Sequence, residues 1–157
     1  MTRTVFGGGQ EGGIRSGTEN MPGIAGFGAA VEETFRDGAA RRAAIRSLRD
    51  YAAEGLQKIG AVINNPPRPA PHILNFSVPG FKAEPTLNRL SELGVCVSAG
   101  SACSAGKKRH SHVLTAMGLS EALLDSALRC SMCLETTKDD IDALVAGVAA
   151  INGNNQR

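Results

Sequence analysis

Cys103 stands in the run SAGSACSAGKKRH, among serine, alanine and glycine, with Lys107, Lys108, Arg109 and His110 close behind it. Nearby cations favour thiolate over thiol, and the thiolate is the nucleophilic form. A cysteine that belongs to a core usually has bulky apolar neighbours, which this one lacks. Cys103 is therefore a candidate nucleophile on a loop of small residues; the plainer reading is a small residue in an ordinary loop. Cys96 lies in the apolar stretch VCV and is expected in the core. Cys130 and Cys133 have C-x-x-C spacing, but LRCSMCL alternates as a strand would, so Cys130 and Cys133 point to opposite faces and share no metal. His110 and His112 read as two solvent-facing histidines, and no metal site is expected.

A second group lies in GGGQEGGIRSGTEN, residues 7–20, where Arg15 and Thr18 are set among glycines. Gly7, Gly9 and Gly12 spell G-x-G-x-x-G, and Glu32 or Glu33 follows about twenty residues on. A dinucleotide fold needs its helix to begin inside the glycines and a second strand to present the acid. Here the helix signal starts at Asn20 and the acids fall within it. A Walker loop fails as well, because no Gly-Lys-Ser/Thr follows. Two local readings remain, a plain glycine turn and an anion-binding loop using Arg15, Thr18 and backbone N–H groups at a helix entrance.

These residues must be held by regular elements. Asn20 and Pro22 predict a cap and first turn, and Ile24, Phe27, Val31 and Phe35 recur at helical spacing. A second helix is predicted through Ile45, Leu48, Ala52, Leu56 and Ile59, with its charged residues on the opposite, solvated face. NNPPRPAP, residues 64–71, cannot continue a helix, which places a domain boundary near residues 60–72. HILNFSV alternates Leu74, Phe76 and Val78 against Asn75 and Ser77 and stops at Pro79-Gly80, predicting a half-buried strand. Leu87, Leu90 and Leu93 predict a helix ending at Gly94. A short strand at VCVS, short helices around SHVLTAMG and SEALLDS, and a strand from Leu128 follow. Thr137 with Asp140 resembles a capping box ahead of Ile141, Leu144, Val145, Val148 and Ile151, and NGNNQR is expected to fray. The order of elements predicts an α+β fold, a few-stranded sheet backed by helices.

With 157 residues, 42% of them hydrophobic, the chain is long enough for a core. Seventeen basic residues nearly balance fifteen acidic ones, and one Tyr with no Trp offers little surface for stacking bases, which argues against nucleic acid. No apolar stretch is long enough for a membrane span and no signal-type run follows Met1, so a cytoplasmic protein with reduced cysteines is expected.

Taken together, GGGQEGGIRSGTENMPGIAGFGAA, PHILNFSVPG, GVCVSAGSACSAGKK and SALRCSM resemble successive motifs of the group I cysteine desulfurases, pyridoxal-phosphate enzymes of aminotransferase class V. The resemblance runs in order from Gly7 to about Ile151. It implies the C-terminal part of such an enzyme: a glycine-rich active-site loop over residues 1–20, connecting helices over 21–63, and the small C-terminal α+β domain of a type I pyridoxal-phosphate enzyme over 64–157. It implies that Cys103 accepts the sulfur of L-cysteine as a persulfide with release of L-alanine. Thr18 matches the threonine that reaches the cofactor phosphate of a partner subunit, and Arg129, in ALRCS, the arginine that pairs with the substrate carboxylate. Partners so implied are a sulfur-acceptor protein, in iron-sulfur cluster assembly or other sulfur transfer, and a second subunit, as a homodimer or as a chain carrying the large cofactor domain. The family's cofactor-bearing lysine stands in a His-Lys motif that none of Lys58, Lys82, Lys107, Lys108 and Lys138 matches, so the chain alone is expected to be inactive. Two further departures are Gly12, in EGG where the family has ERG, and CLE at Cys133–Glu135. The alternatives are a non-enzymatic sulfur-carrier domain and a class V enzyme resembling selenocysteine lyase.

Overall fold

The computed structural model describes residues 2–99 and 110–154. The chain divides into two compact units, Met1–Gly38 and Ala39–Arg157.

In the first unit the backbone folds back so that Val5 and Arg15 form a parallel bridge, with one turn of 3-10 helix at Glu11–Gly13. Helix α1 spans Met21–Phe35. It begins where expected: Asn20 Oδ1 accepts from the Gly23 N–H at 3.1 Å, and Pro22 occupies the first turn, where its missing N–H costs nothing. The apolar stripe of α1 is not a core face. Ile24, Phe27, Val31 and Phe35 are all exposed, Phe27 to 74%.

The second unit contains α2 (Gly38–Lys58), β1 (Val62–Ile63), β2 (Ile73–Ser77), α3 (Ala83–Glu92), β3 (Ser98–Ala99), α4 (His112–Ala116), α5 (Glu121–Asp125), β4 (Ala127–Ser131) and α6 (Lys138–Asn154). Its four strands form an antiparallel sheet in the order β1-β2-β4-β3. The fold is α+β, as the order of elements predicts. In the β2–β4 register Leu74 faces Cys130 and Phe76 faces Leu128. These side chains share one buried cluster with Ala52 and Leu56 of α2, Leu90 of α3, and Ile141, Leu144 and Val148 of α6. The helices approach closely through glycines: a Cβ on Gly55 would lie 2.8 Å from Val145 Cγ2, and one on Gly147 2.8 Å from Leu90 Cδ2. The capping box forms as predicted. The backbone N–H and the hydroxyl of Thr137 both donate to Asp140 Oδ2 at 2.8 Å, and the Asp140 N–H donates back to Thr137 Oγ1 at 3.2 Å.

Five expectations are corrected. The chain does not divide at residues 60–72, because α2 contributes Ala52 and Leu56 to the core of the second unit. The Pro-rich segment is instead stitched to the sheet by its asparagines. The Asn64 N–H donates to Asn75 O at 2.9 Å, and the Asn65 amide accepts from Asn75 N at 2.7 Å and donates to Ile73 O at 2.9 Å, so a side chain extends the pairing of β1 past its end. Ser77 is fully buried rather than outward, since its hydroxyl donates to Leu123 O and accepts from Asn64 Nδ2, both at 2.7 Å. Leu93 lies past the end of α3 and is 51% exposed. Cys96 is exposed, because it precedes the two-residue strand β3 instead of sitting within it. Finally, α6 runs through Asn154, so NGN is helical rather than frayed.

Candidate functional site

The open face of the sheet holds the site in the second unit. Alternation along β4 sends Leu128 and Cys130 into the core and leaves Arg129 exposed on the other side. Arg129 sits in the middle of the sheet, opposite Asn75 of β2 on one side and Ser98 of β3 on the other. Directly opposed residues on one face have Cβ atoms about 4.5–5.5 Å apart, so these three side chains are neighbours. Among the described residues the Arg129 guanidinium has no ion pair and no hydrogen bond. An arginine without a carboxylate partner, at the centre of a rigid sheet, is a fork of five donors with nothing to hold.

Asn75 is fixed beside it. Its Oδ1 accepts from Asn64 Nδ2 at 2.8 Å, and that same amide nitrogen donates to Ser77 Oγ. The sequence reading placed Asn75 on the polar face of β2 but attached no role to it, nor to Ser98. Period-two alternation gives the face. The pairing with Arg129 spans 54 positions of chain and is set by register, which no local pattern reveals.

Thr18 lies in the first unit. Its carbonyl accepts from Arg15 Nη1 at 2.9 Å, which leaves its exposed hydroxyl without a partner among the described residues. The glycine loop is closed on itself. The Gly9 N–H donates to Ser16 Oγ at 3.4 Å, the Gly17 N–H to Gln10 Oε1 at 3.1 Å, and the Gly13 N–H to Gly9 and Gln10 carbonyls. Three N–H groups that a phosphate cradle would offer are thus already used. For pyridoxal phosphate the first unit offers the Thr18 hydroxyl, a fit on the phosphate side alone. Of the described lysines, Lys138 holds its Nζ 4.5 Å over the Tyr51 ring. Gly12 has φ 63°, the left-handed region, which glycine enters freely and an arginine would not.

Cys103, with Lys107, Lys108 and Arg109, lies outside the described residues. Cys130 and Cys133 separate as the alternation predicts. Cys130 is buried, which pushes its thiol pKa up, while Cys133 is exposed and its N–H donates to Thr136 Oγ1 at 2.9 Å. His110 Nε2 lies 2.8 Å from Asp125 Oδ1. Among the described residues no three His, Cys, Asp or Glu side chains gather as metal ligands, and no helix is long and apolar enough to cross a membrane.

The sheet of this α+β domain presents Arg129 to solvent with no partner among the described residues. The family model for aminotransferase class V matches residues 7–144, and the chain belongs to that family. It is 35% identical over 149 residues to a cysteine desulfurase of Bradyrhizobium diazoefficiens, covering 94% of this chain and 38% of that protein. It is 39% identical over 145 residues to cysteine desulfurase 1 of Trichormus variabilis, covering 90% and 36%. The X-ray structure of a NifS-like protein from Rickettsia africae superposes with a TM-score of 0.81 at 31% identity, over 97% of this chain and 40% of that one. The chain therefore spans about two fifths of the length of these relatives.

Proposed function

We propose that this chain is the sulfur-accepting portion of a cysteine desulfurase, converting L-cysteine to L-alanine with the sulfur retained on Cys103. The observation that carries this reading is Arg129, whose guanidinium on the exposed face of the sheet has no partner among the described residues, in a member of aminotransferase class V. The guanidinium fork binds the substrate carboxylate in two parallel hydrogen bonds, which fixes the amino acid by its α-carboxylate. The Thr18 hydroxyl would help to hold the phosphate of pyridoxal phosphate carried by the complementary part of the enzyme. Bound pyridoxal phosphate supplies the electron sink for the carbon–sulfur bond. The Cys103 thiolate attacks the substrate sulfur; an S–S bond forms as the Cβ–S bond breaks, the electron pair leaves with carbon, and Cβ takes a proton. The sum is L-cysteine plus Cys103–SH giving L-alanine plus Cys103–S–SH, with no outside oxidant. The persulfide on Cys103 then passes to an acceptor protein. The cofactor-bearing lysine comes from the complementary part, on the same polypeptide or on a partner.

The test is alanine release. Combined with pyridoxal phosphate and a polypeptide bearing the lysine half of a class V enzyme, the chain should yield alanine from L-cysteine, and both Cys103→Ala and Arg129→Ala should abolish it. Alanine formation that survives both substitutions overturns the reading.

A further inference from the structure

The three polar residues in a row across the open sheet, Asn75, Arg129 and Ser98, come from three different strands. Arg129 contributes donors only. The Asn75 Oδ1 is turned to Asn64, from which it accepts, and the two N–H bonds of its amide nitrogen are without a partner among the described residues. The Ser98 hydroxyl also makes no hydrogen bond among them. The orientation of Asn75 is not free to reverse. Asn64 is buried and donates simultaneously to Asn75 Oδ1 and to Ser77 Oγ, and the Ser77 hydroxyl donates its own hydrogen bond to Leu123 O. Turning the Asn75 amide over would set two N–H groups against each other in a half-buried network, at the cost of an unmade hydrogen bond.

We infer that Asn75 and Ser98 complete the Arg129 site, making a three-strand donor row that selects an α-amino acid by its carboxylate. The inference rests on the reading of Arg129 given above and extends it to residues of the neighbouring strands. A carboxylate has about four lone-pair positions, of which a bidentate guanidinium uses two. The Asn75 amide meets a third, and the Ser98 hydroxyl a fourth from the opposite side. The relay from Leu123 through Ser77 and Asn64 is what keeps the amide nitrogen of Asn75, and not its oxygen, turned toward the anion. An oxygen there would repel it.

The experiment is a backbone amide NMR titration of the full 157-residue chain with L-alanine, using L-alaninamide and inorganic phosphate as comparison probes. L-Alanine should shift the amides of Asn75, Ser98 and Arg129 saturably, and alaninamide should not. Asn75→Asp keeps the acceptor that Asn64 needs but replaces both donors with a carboxylate facing Arg129, so it should abolish the titration while leaving the spectrum dispersed. Ser98→Ala disturbs no hydrogen bond among the described residues and should weaken binding several-fold. Arg129→Ala should abolish binding. If Arg129→Ala abolishes it while Asn75→Asp and Ser98→Ala titrate as wild type, the Arg129 reading stands and this inference is overturned. If phosphate reproduces the shifts and alanine does not, the selection is for another anion and the inference fails. If neither probe shifts Arg129, the Arg129 reading falls together with it.

Discussion

The two units carry the same kind of apolar periodicity and use it differently. In Ala39–Arg157 the periodic residues of α2, α3 and α6 meet those of β2 and β4, and Phe76, Leu56, Leu74, Leu90 and Leu128 are fully buried. In Met1–Gly38, α1 has an apolar stripe of equal regularity and no buried residue, and Phe6, Phe27 and Phe35 are all exposed to 70% or more. Period tells which residues share a face. Only a facing element turns that face into a core.

Phenylalanine truncation should give the widest contrast. Phe76→Ala should cost about 3–5 kcal/mol, because it empties a filled position between the sheet and its helices, whereas Phe27→Ala on the exposed face should change stability by no more than about 0.5 kcal/mol. Urea denaturation of the two variants checks this, and equal losses would mean that α1 has a packed face in solution. Glycine-to-alanine changes should differ in sign. Gly26→Ala in α1 meets open space and should raise stability by up to about 1 kcal/mol, as helix propensity dictates. In α2, Gly55→Ala places a methyl against the stiff, β-branched Val145 and should be destabilising by about 1 kcal/mol net of that same gain. Thermal unfolding of both variants measures the pair.

The helix caps should differ less. Thr137→Ala removes the two hydroxyl hydrogen bonds to Asp140 while keeping the backbone one, and should cost about 1 kcal/mol, visible as faster hydrogen exchange in the first turn of α6. Asn20→Ala should speed exchange at Gly23 and leave the cooperative transition of the second unit unmoved. The smallest effect expected is on pH dependence. The backbone and then the hydroxyl hydrogen bonds from Thr137 hold the Asp140 carboxyl below its ordinary range. A depressed folded value means that the stabilisation is complete above the unfolded pKa and is lost as pH falls through the folded one. Melting temperature should therefore fall with acidification slightly more steeply in the wild type than in Asp140→Asn, and parallel profiles would contradict the assignment.

Much of the fold was legible because its signals are local. The Asn20 and Thr137 caps and the alternating burial of LRCSMCL each depend on a few adjacent residues and stand where the sequence puts them, whereas α3 stops at Glu92 and Ser77 breaks the alternation of HILNFSV. Ser77 and Cys96 were misplaced for complementary reasons. Ser77 is buried because distant residues, Asn64 and Leu123, satisfy its hydroxyl; Cys96 is exposed because the strand beside it is only two residues long. The proline-rich segment hid a strand continuation made by an asparagine side chain, which has no sequence period at all. At the candidate site, Arg129 was found by its motif, whereas Asn75 and Ser98 become its neighbours only through register.

The central claim is that Cys103 is the residue that takes sulfur, and competition among the four thiols tests it most directly. Brief exposure of the native chain to a polysulfide donor, followed by peptide-resolved mass spectrometry against the denatured chain, ranks them. Exposure alone would favour Cys96 and Cys133, and burial should make Cys130 the slowest. The cations that follow Cys103 predict that it is persulfidated first, ahead of both exposed thiols. Modification of Cys96 or Cys133 with Cys103 left inert would contradict the account.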